Sequence, residues 1–209
     1  TIREKLLAQG AEGVGGTPQA PVADVLQIAG AGNTASGNTG ITAIDAGGLG
    51  APTTGDGILV VDNVFATPLL QSPLKLGADC VVYSATKHVD GQGRCLGGVV
   101  LGSREYIRKT LEPYLKHTGG AMSPFNAWVF LKGLETLELR MLAHARSAQI
   151  LAGWLREQPG VIQVHYPGLD SHPQHRLVGT QQRTGGGIVA FEVRGEREGA
   201  WRVIDSTRM

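Results

Sequence analysis

Two unbroken apolar runs, "GILVVD" at 57–62 and "DCVVYS" at 79–84, constrain this chain more than any other feature. A half-solvated strand alternates apolar and polar residues, whereas a continuous apolar strand must be covered on both faces, as in a parallel sheet. Between the runs, "TPLLQSPLKLG" reads as a short helix closed by Gly77, the kind of crossover that joins parallel strands. "GGVVLGS" adds a third strand. The expected class is α/β, with a mostly parallel sheet and helices on both faces.

Downstream, residues 103–117 suit a helix. Over 124–157, Leu134, Leu137, Met141, Ala145, Ala148, Leu151 and Leu155 recur at spacings of three and four, predicting one long helix with an apolar stripe. "QPG" stops it, and "VIQVHYP" and "GGGIVAFEVRG" then predict short strands opening a second, smaller layer. Upstream, residues 1–56 are rich in glycine, alanine and threonine and are expected to be loop-like, of uncertain order. Within them "TIREKLLAQG" and "APVADVLQIAG" each predict a short helix ended by glycine. The start at Thr1 and the stop at Met209, directly after an apparent helix, lead us to expect an incomplete chain.

With 209 residues, 42% of them hydrophobic, the chain can bury a core. A formal charge of +1 gives no field to gather nucleic acid or an anionic membrane, so a small molecule or another protein is the expected partner. Two cysteines make no disulfide framework, and no secretory leader or membrane-length apolar run is evident. A cytoplasmic protein is expected.

In a parallel sheet, ligands gather beyond the carboxyl ends of the strands. Asp62 ends the first run, and Ser84, Thr86 and Lys87 follow the end of the second, so all four are expected at one rim. A desolvated lysine amine can attack a carbonyl. Two neighbouring hydroxyls could hold a phosphate, and a carboxylate one strand away could keep a pyridine nitrogen protonated. Those are the needs of pyridoxal phosphate. Taken singly, the same residues also read as a solvated loop lysine and a turn aspartate.

Other candidates have plainer readings. His165, His172 and His175 lie close together but lack a metal-ligand spacing, so no metal is expected. Cys80 reads as a buried small hydrophobe and Cys95 as a turn residue. Arg140 and Arg146, on the long helix, read as solvated or paired side chains. The glycines of residues 1–56 lack the Gly-Lys-Ser/Thr ending of a nucleotide loop.

The text "VVDNVFATPLLQSPLKLGADCVVYSATKHVDGQGRCLGGVVLG", then "GGAMSPFNAWVFLKGLETLELRM" and "YPGLDSHPQHRL", resembles the pyridoxal phosphate enzymes of cysteine and methionine metabolism over about residues 57–209. The resemblance implies an aminotransferase-like, fold type I transferase. Residues 57–158 would be part of its large cofactor-binding domain and 159–209 the start of a truncated α+β small domain, with 1–56 not family-like. It implies Lys87 as the Schiff-base lysine, Asp62 as partner of the pyridinium nitrogen, and Ser84 and Thr86 as phosphate ligands. It also implies an amino-acid substrate and a homo-oligomer, dimer or tetramer. Within the family, "DGQGRCLGG" is most similar to the O-succinylhomoserine sulfhydrylases, implying replacement of succinate by sulfide to give homocysteine. The alternatives are a cystathionine γ-synthase or γ-lyase, or an inactive remnant that only associates.

Overall fold

The computed structural model describes residues 27–30 and 59–208. Four strands form one sheet in the order β1 (Gln27–Gly30), β2 (Leu59–Asp62), β3 (Cys80–Ser84) and β4 (Gly98–Gly102). The first three run parallel, with Asp62 in register with both Gly30 and Val82. Between β2 and β3 lie a one-turn helix, α1 (Thr67–Leu70), and a 3-10 turn, Pro73–Leu76, ended by Gly77 at φ 100°. A left-handed residue there suits glycine, which closes the crossover as the sequence predicts.

β4 departs from the parallel pattern and pairs antiparallel to β3, Ser84 facing Gly98. The connection explains the reversal. A parallel return needs a crossover of about a dozen residues or more, usually a helix, and the stretch from Ala85 to Gly97 is instead a tight turn followed by a glycine-rich loop.

Val61, Val81 and Tyr83 project from one face and pack with Leu74 and Ala78 of the crossover. The other face carries Asp62, in register with Val82 and so on the same side as Ser84, two residues farther along β3. Helix covers this face lower down. Gly102 opposes Cys80, and a side-chain carbon at Gly102 would lie 3.4 Å from Tyr106. Tyr106 ends α2 (Arg104–Tyr106), which continues through a π-type turn, Ile107–Leu111, into α3 (Glu112–Thr118).

α4 (Pro124–Arg156) is the backbone of the structure. Ser123 caps it, its hydroxyl accepting from the Asn126 amide at 3.1 Å, and Pro124 at the first position has no amide to leave unsatisfied. Leu137 and Met141 are fully buried against Ala66 and Leu70, each contributing about 2–3 kcal/mol relative to exposure. Ala148 and Ala152 pack against Tyr166 and Leu169. The predicted stripe is corrected at one position: Leu151 is exposed and Ala152 is buried in its place. Four residues after Ala148 stays on the buried face, whereas Leu151 drifts to its edge.

Beyond α4, β5 (Val161–His165) pairs antiparallel with β6 (Ala190–Val193), and α5 (Glu196–Ser206) follows. A second correction concerns "APVADVLQIAG": its last four residues form β1, pairing edge to edge with β2, and are not helical. Tertiary pairing overrides the weak local helix preference. The helix predicted at "TIREKLLAQG", the glycine-rich loops and the rest of the 1–56 segment lie outside the described residues. Among the described residues no helix is long and apolar enough to cross a membrane.

Candidate active site

β2 and β3 are adjacent, parallel and in register, so their carboxyl ends open on one rim. Asp62 closes β2. Ser84 closes β3 roughly 7 Å beyond Asp62's register partner, at the usual rise per strand residue. Thr86 and Lys87 follow in the turn Ala85–Val89. The structure thus brings all four sequence-predicted residues to one end of the sheet, with Asp62 and Ser84 on one face.

Asp62 is half-buried, and its Oδ1 accepts from the Val64 amide at 3.0 Å. This is the turn role that a lone aspartate commonly has, and it orients the carboxylate at the strand end. The residue after it matters as much. Asn63 is fully buried, its Nδ2 reaching the carbonyls of Thr67 and Gln71 and the Tyr83 hydroxyl, each at 3.1 Å. Gln71 returns a bond to Asn63 Oδ1 and accepts one from Gln181, tying the turn below Asp62 to the distant 181–183 stretch. Arg183 N donates to Leu70 O there at 2.7 Å. Burial pushes the Tyr83 phenol far up, so it stays neutral. The network also holds Thr67 at φ 59°, a left-handed conformation that costs a β-branched residue about 1–3 kcal/mol. Sequence reasoning missed Asn63; the one available signal was an amide directly after a strand within an otherwise apolar segment.

Ser84 is half-buried, and among the described residues nothing engages its hydroxyl. Thr86 Oγ1 accepts from Gly97 N at 3.1 Å and donates to Gly97 O at 3.4 Å, while Ala85 N reaches the same carbonyl at 2.9 Å. Its hydroxyl therefore pins the start of β4 to the turn. Lys87 is exposed, unlike the desolvated amine expected, because the turn projects past the end of the sheet. Its backbone, φ −88° and ψ −112°, interrupts the helical turn.

Three elements hold this turn. Phe130 and Leu134 of α4 pack on Ala85 and Val89. Asp90, 1% exposed, accepts from the Arg94 amide at 2.6 Å and from Arg94 Nε at 2.8 Å. Burial alone would raise its carboxyl, but the Arg94 bonds hold it below the ordinary carboxylate value. Arg140 of α4 reaches the carbonyls of His88 and Val89. The reading of Arg140 as a solvated or paired side chain is thereby sharpened: its Nη donors go to backbone carbonyls and its Nε to the Thr136 hydroxyl. Arg146 is exposed, in keeping with that reading.

His88 stands edge-on to Phe65 and to His144, and among the described residues its buried Nε2 has no hydrogen-bond partner. Burial, then the charges of His144 and Arg140, pulls its pKa below the ordinary imidazole value.

The other candidates sit apart. Burial, then Asp79, pushes the Cys80 thiol up to about 11, out of nucleophile range. His165 Nε2 meets Glu192 at 2.7 Å, His172 Nδ1 accepts from Gln174 N at 3.1 Å, and His175 Nδ1 meets the Pro167 carbonyl at 2.9 Å. Among the described residues no cluster of three or more His, Cys, Asp or Glu is placed to hold a metal.

A family profile described as Cys/Met metabolism PLP-dependent enzyme matches residues 37–209, so the likeness begins inside the 1–56 segment expected not to be family-like, ahead of the quoted text that starts at Val60. An O-succinylhomoserine sulfhydrylase of Pseudomonas aeruginosa is 57% identical over 152 residues, which is 73% of this chain and 38% of that protein. An L-methionine gamma-lyase of Pseudomonas putida is 46% identical over 66% of this chain and 35% of its own length. The crystal structure of cystathionine gamma synthase from Xanthomonas oryzae pv. oryzae in complex with cystathionine superposes with a TM-score of 0.72 at 35% identity, covering 76% of this chain and 41% of that one. The chain thus spans about two-fifths of the length of the curated relatives it matches. Its α/β architecture is the aminotransferase-like, fold type I arrangement, present in part, with the start of a smaller C-terminal layer. The chain belongs to the Cys/Met metabolism family of pyridoxal-phosphate-dependent enzymes.

Proposed function

We propose that the rim of this sheet holds pyridoxal phosphate and serves a γ-replacement on O-succinyl-L-homoserine, in which sulfide displaces succinate to give homocysteine. The observation that carries this reading is the parallel register of β2 and β3, which sets Asp62 and Ser84 on one face at one end, with Lys87 directly beyond. The donor set fits the group: one amine for the aldehyde, one carboxylate for the ring nitrogen, and two hydroxyls for the phosphate. The choice of acyl donor rests on the O-succinylhomoserine sulfhydrylase relative, over the part of that protein the chain covers.

When bound, the cofactor supplies an electron sink for charge that develops at the amino acid's Cα. Lys87 Nζ would anchor it and, when free, would take the Cα proton and then move a Cβ proton as general base and acid. The Asp62 carboxylate, its direction set by the Val64 amide, would hold the proton on the ring nitrogen. Ser84 would donate to the phosphate without breaking a bond within the described residues, and Thr86 would do so by giving up the 3.4 Å bond to Gly97 O. Succinate leaves Cγ, sulfide adds there, and the Cα and Cβ positions regain their protons, so atoms and charge balance.

We further propose an amino-acid substrate, a cytoplasmic setting and a homo-oligomer. Self-association is supported by large apolar side chains left exposed along α4, among them Phe125, Trp128, Leu139 and Trp154. A γ-elimination, in which the γ substituent leaves without replacement and water releases a 2-oxo acid and ammonia, is the second reading, favoured by the L-methionine gamma-lyase relative. A cystathionine γ-synthase, taking cysteine as nucleophile, is favoured by the solved structural neighbour. Product analysis with sulfide, with cysteine and with neither separates the three.

The test of the site is to mix the protein with pyridoxal phosphate, reduce with borohydride and map the label. Label on Lys87 that Lys87→Arg abolishes supports the reading, because a guanidinium stays protonated and cannot act as nucleophile. Label scattered over Lys109 and Lys116, which are ion-paired to Glu105 and Glu112 on the surface, overturns it and leaves a chain that only associates.

A further inference from the structure

The helical turn that carries Lys87 ends at Val89, so the carbonyls of its last residues lack the intrahelical partners that would otherwise satisfy them. Local backbone bonds remain on the strand side, among them Asp90 N to Ala85 O at 2.8 Å and Gly91 N to Lys87 O at 2.7 Å. The carbonyls of His88 and Val89 turn toward α4, and Arg140 meets both, Nη1 to His88 O at 2.8 Å and Nη2 to Val89 O at 3.3 Å. The same guanidinium is fixed from its own helix, Nη2 to Gly133 O at 2.9 Å and Nε to Thr136 Oγ1 at 3.0 Å. Every one of these acceptors is neutral, so the arginine joins the turn's backbone to the helix, and among the described residues it makes no ion pair.

The surroundings are built for this contact. A side-chain carbon at Gly133 would lie 2.1 Å from Val89 O, and one at Gly91 would lie 2.2 Å from Arg140 Nη1. Helix, guanidinium and turn can approach this closely only because both positions are glycine. A planar fork with donors in fixed directions can meet two successive carbonyls at once; a lysine ammonium, on a flexible stem, cannot hold both in one geometry.

We propose that Arg140 is the positioning residue for Lys87: by holding the two peptide units after it, Arg140 fixes the backbone from which the amine reaches the rim. The proposal rests on the cofactor reading for its consequence but not for its geometry. Two measurements separate them. The first, without cofactor, is amide hydrogen exchange. In Arg140→Lys the amides of Asp90 and Gly91 should exchange at least about tenfold faster than in the parent protein, while those at the centre of α4 are unchanged, since the opening is local. The second is the rate at which pyridoxal phosphate becomes linked to Lys87. It should fall about tenfold to a hundredfold in Arg140→Lys, as expected for a reacting group displaced by about an ångström. Methylguanidinium added to Arg140→Ala should restore part of that rate, which a general loss of stability would not allow. Arg146→Lys, on the exposed side of the same helix, should match the parent in both measurements.

If Arg140→Lys fails to fold, Thr136→Val removes the Nε anchor together with the long 3.4 Å bond from Thr136 Oγ1 to Gly133 O, and should move both readouts in the same direction by about twofold to threefold. Unchanged exchange at Asp90 and Gly91 overturns the proposal. Faster exchange with an unchanged linking rate also overturns it, because the turn would then be held without consequence for Lys87. Should the parent protein never form the link, the cofactor reading falls, and the exchange comparison alone decides whether Arg140 positions the turn.

Discussion

At the Lys87 turn, most of the polar bonds run to backbone: Arg140 to two carbonyls, Thr86 to Gly97, and Asp90 to the Arg94 amide as well as to its guanidinium. The side chains of Ser84 and Lys87 are left to face the rim. At the His165–His175 loop the bonds run from the chemistry-bearing side chains themselves, each imidazole occupied by its own neighbour, Glu192, the Gln174 amide or the Pro167 carbonyl. Both regions crowd reactive residue types into a short stretch. They differ in which groups the fold consumes. A site needs a backbone satisfied by outsiders so that its side chains remain available; a structural loop uses its side chains to satisfy its backbone.

The sharpest way to break this contrast is Gly133→Ala. The added methyl would lie 2.1 Å from Val89 O and 3.1 Å from Asp90 Cα, both backbone atoms that cannot rotate away. Helix and turn must separate, at a cost of about 3 kcal/mol, the upper end for an overpacked contact. Denaturant unfolding should show that loss together with slower linking of cofactor to Lys87. A variant as stable as the parent would mean the turn is not docked on α4.

What the sequence revealed follows the same division. Unbroken apolar runs announced β2 and β3 and repeated apolar spacing announced α4, because burial leaves a mark in the sequence: Leu137, Met141, Ala145 and Ala148 are all buried as the spacing implies. Direction and partnership leave no such mark. β4 reads as apolar whether parallel or antiparallel, and only the length of the connection decides. Arg140 occupies a helix position where arginine is ordinarily solvated, and the carbonyls it meets are 51 and 52 residues away in sequence. Asn63 is similar, its partners set by how α1 folds back over β3. The four rim residues were legible because strand ends in a parallel sheet converge by topology; the groups that hold them were not, because side-chain to backbone bonds have no sequence code.

A smaller effect tests the rim through pH. His88 has a pKa lowered first by burial, then by His144 and Arg140, so the folded state resists its protonation. The unfolded chain therefore binds a proton first as pH falls, and stability drops from about pH 6.5 downward until the folded-state value is reached. His88→Phe keeps an aromatic edge against Phe65 and His144 but cannot titrate. Its unfolding free energy should vary less between pH 7 and 5 than that of the parent. An identical slope would assign the pH dependence to other groups, His172 first, whose pKa burial also lowers.

In the second region Tyr166 sets the scale. It is 1% exposed, its hydroxyl donates to Gly186 O at 2.9 Å, and burial raises its pKa to about 12. Tyr166→Phe keeps the ring and leaves that carbonyl short of a donor, so it should lower stability by about 1 kcal/mol. The linking of cofactor to Lys87 should stay at the parent rate, because Tyr166 packs on Ala148 and Ala152, far along α4 from Gly133.

The smallest effect belongs to the histidine whose partner is another side chain. His165 and Glu192 meet at 2.7 Å between β5 and β6, with the glutamate side chain 54% exposed, so water competes for the bond. Exposed pairs of this kind contribute about 0–1 kcal/mol. Glu192→Gln retains an acceptor oxygen for the imidazole while removing the charge, and the β5–β6 ladder retains its backbone pairing from Val161 to His165. The unfolding midpoint in denaturant should therefore shift by less than about 0.5 kcal/mol equivalent, within the range of ordinary surface substitutions. A loss of several times that size would show that these side chains act together beyond the one bond. The contrast would then need redrawing, since the loop would hold a coupled site of its own in place of separately partnered rings.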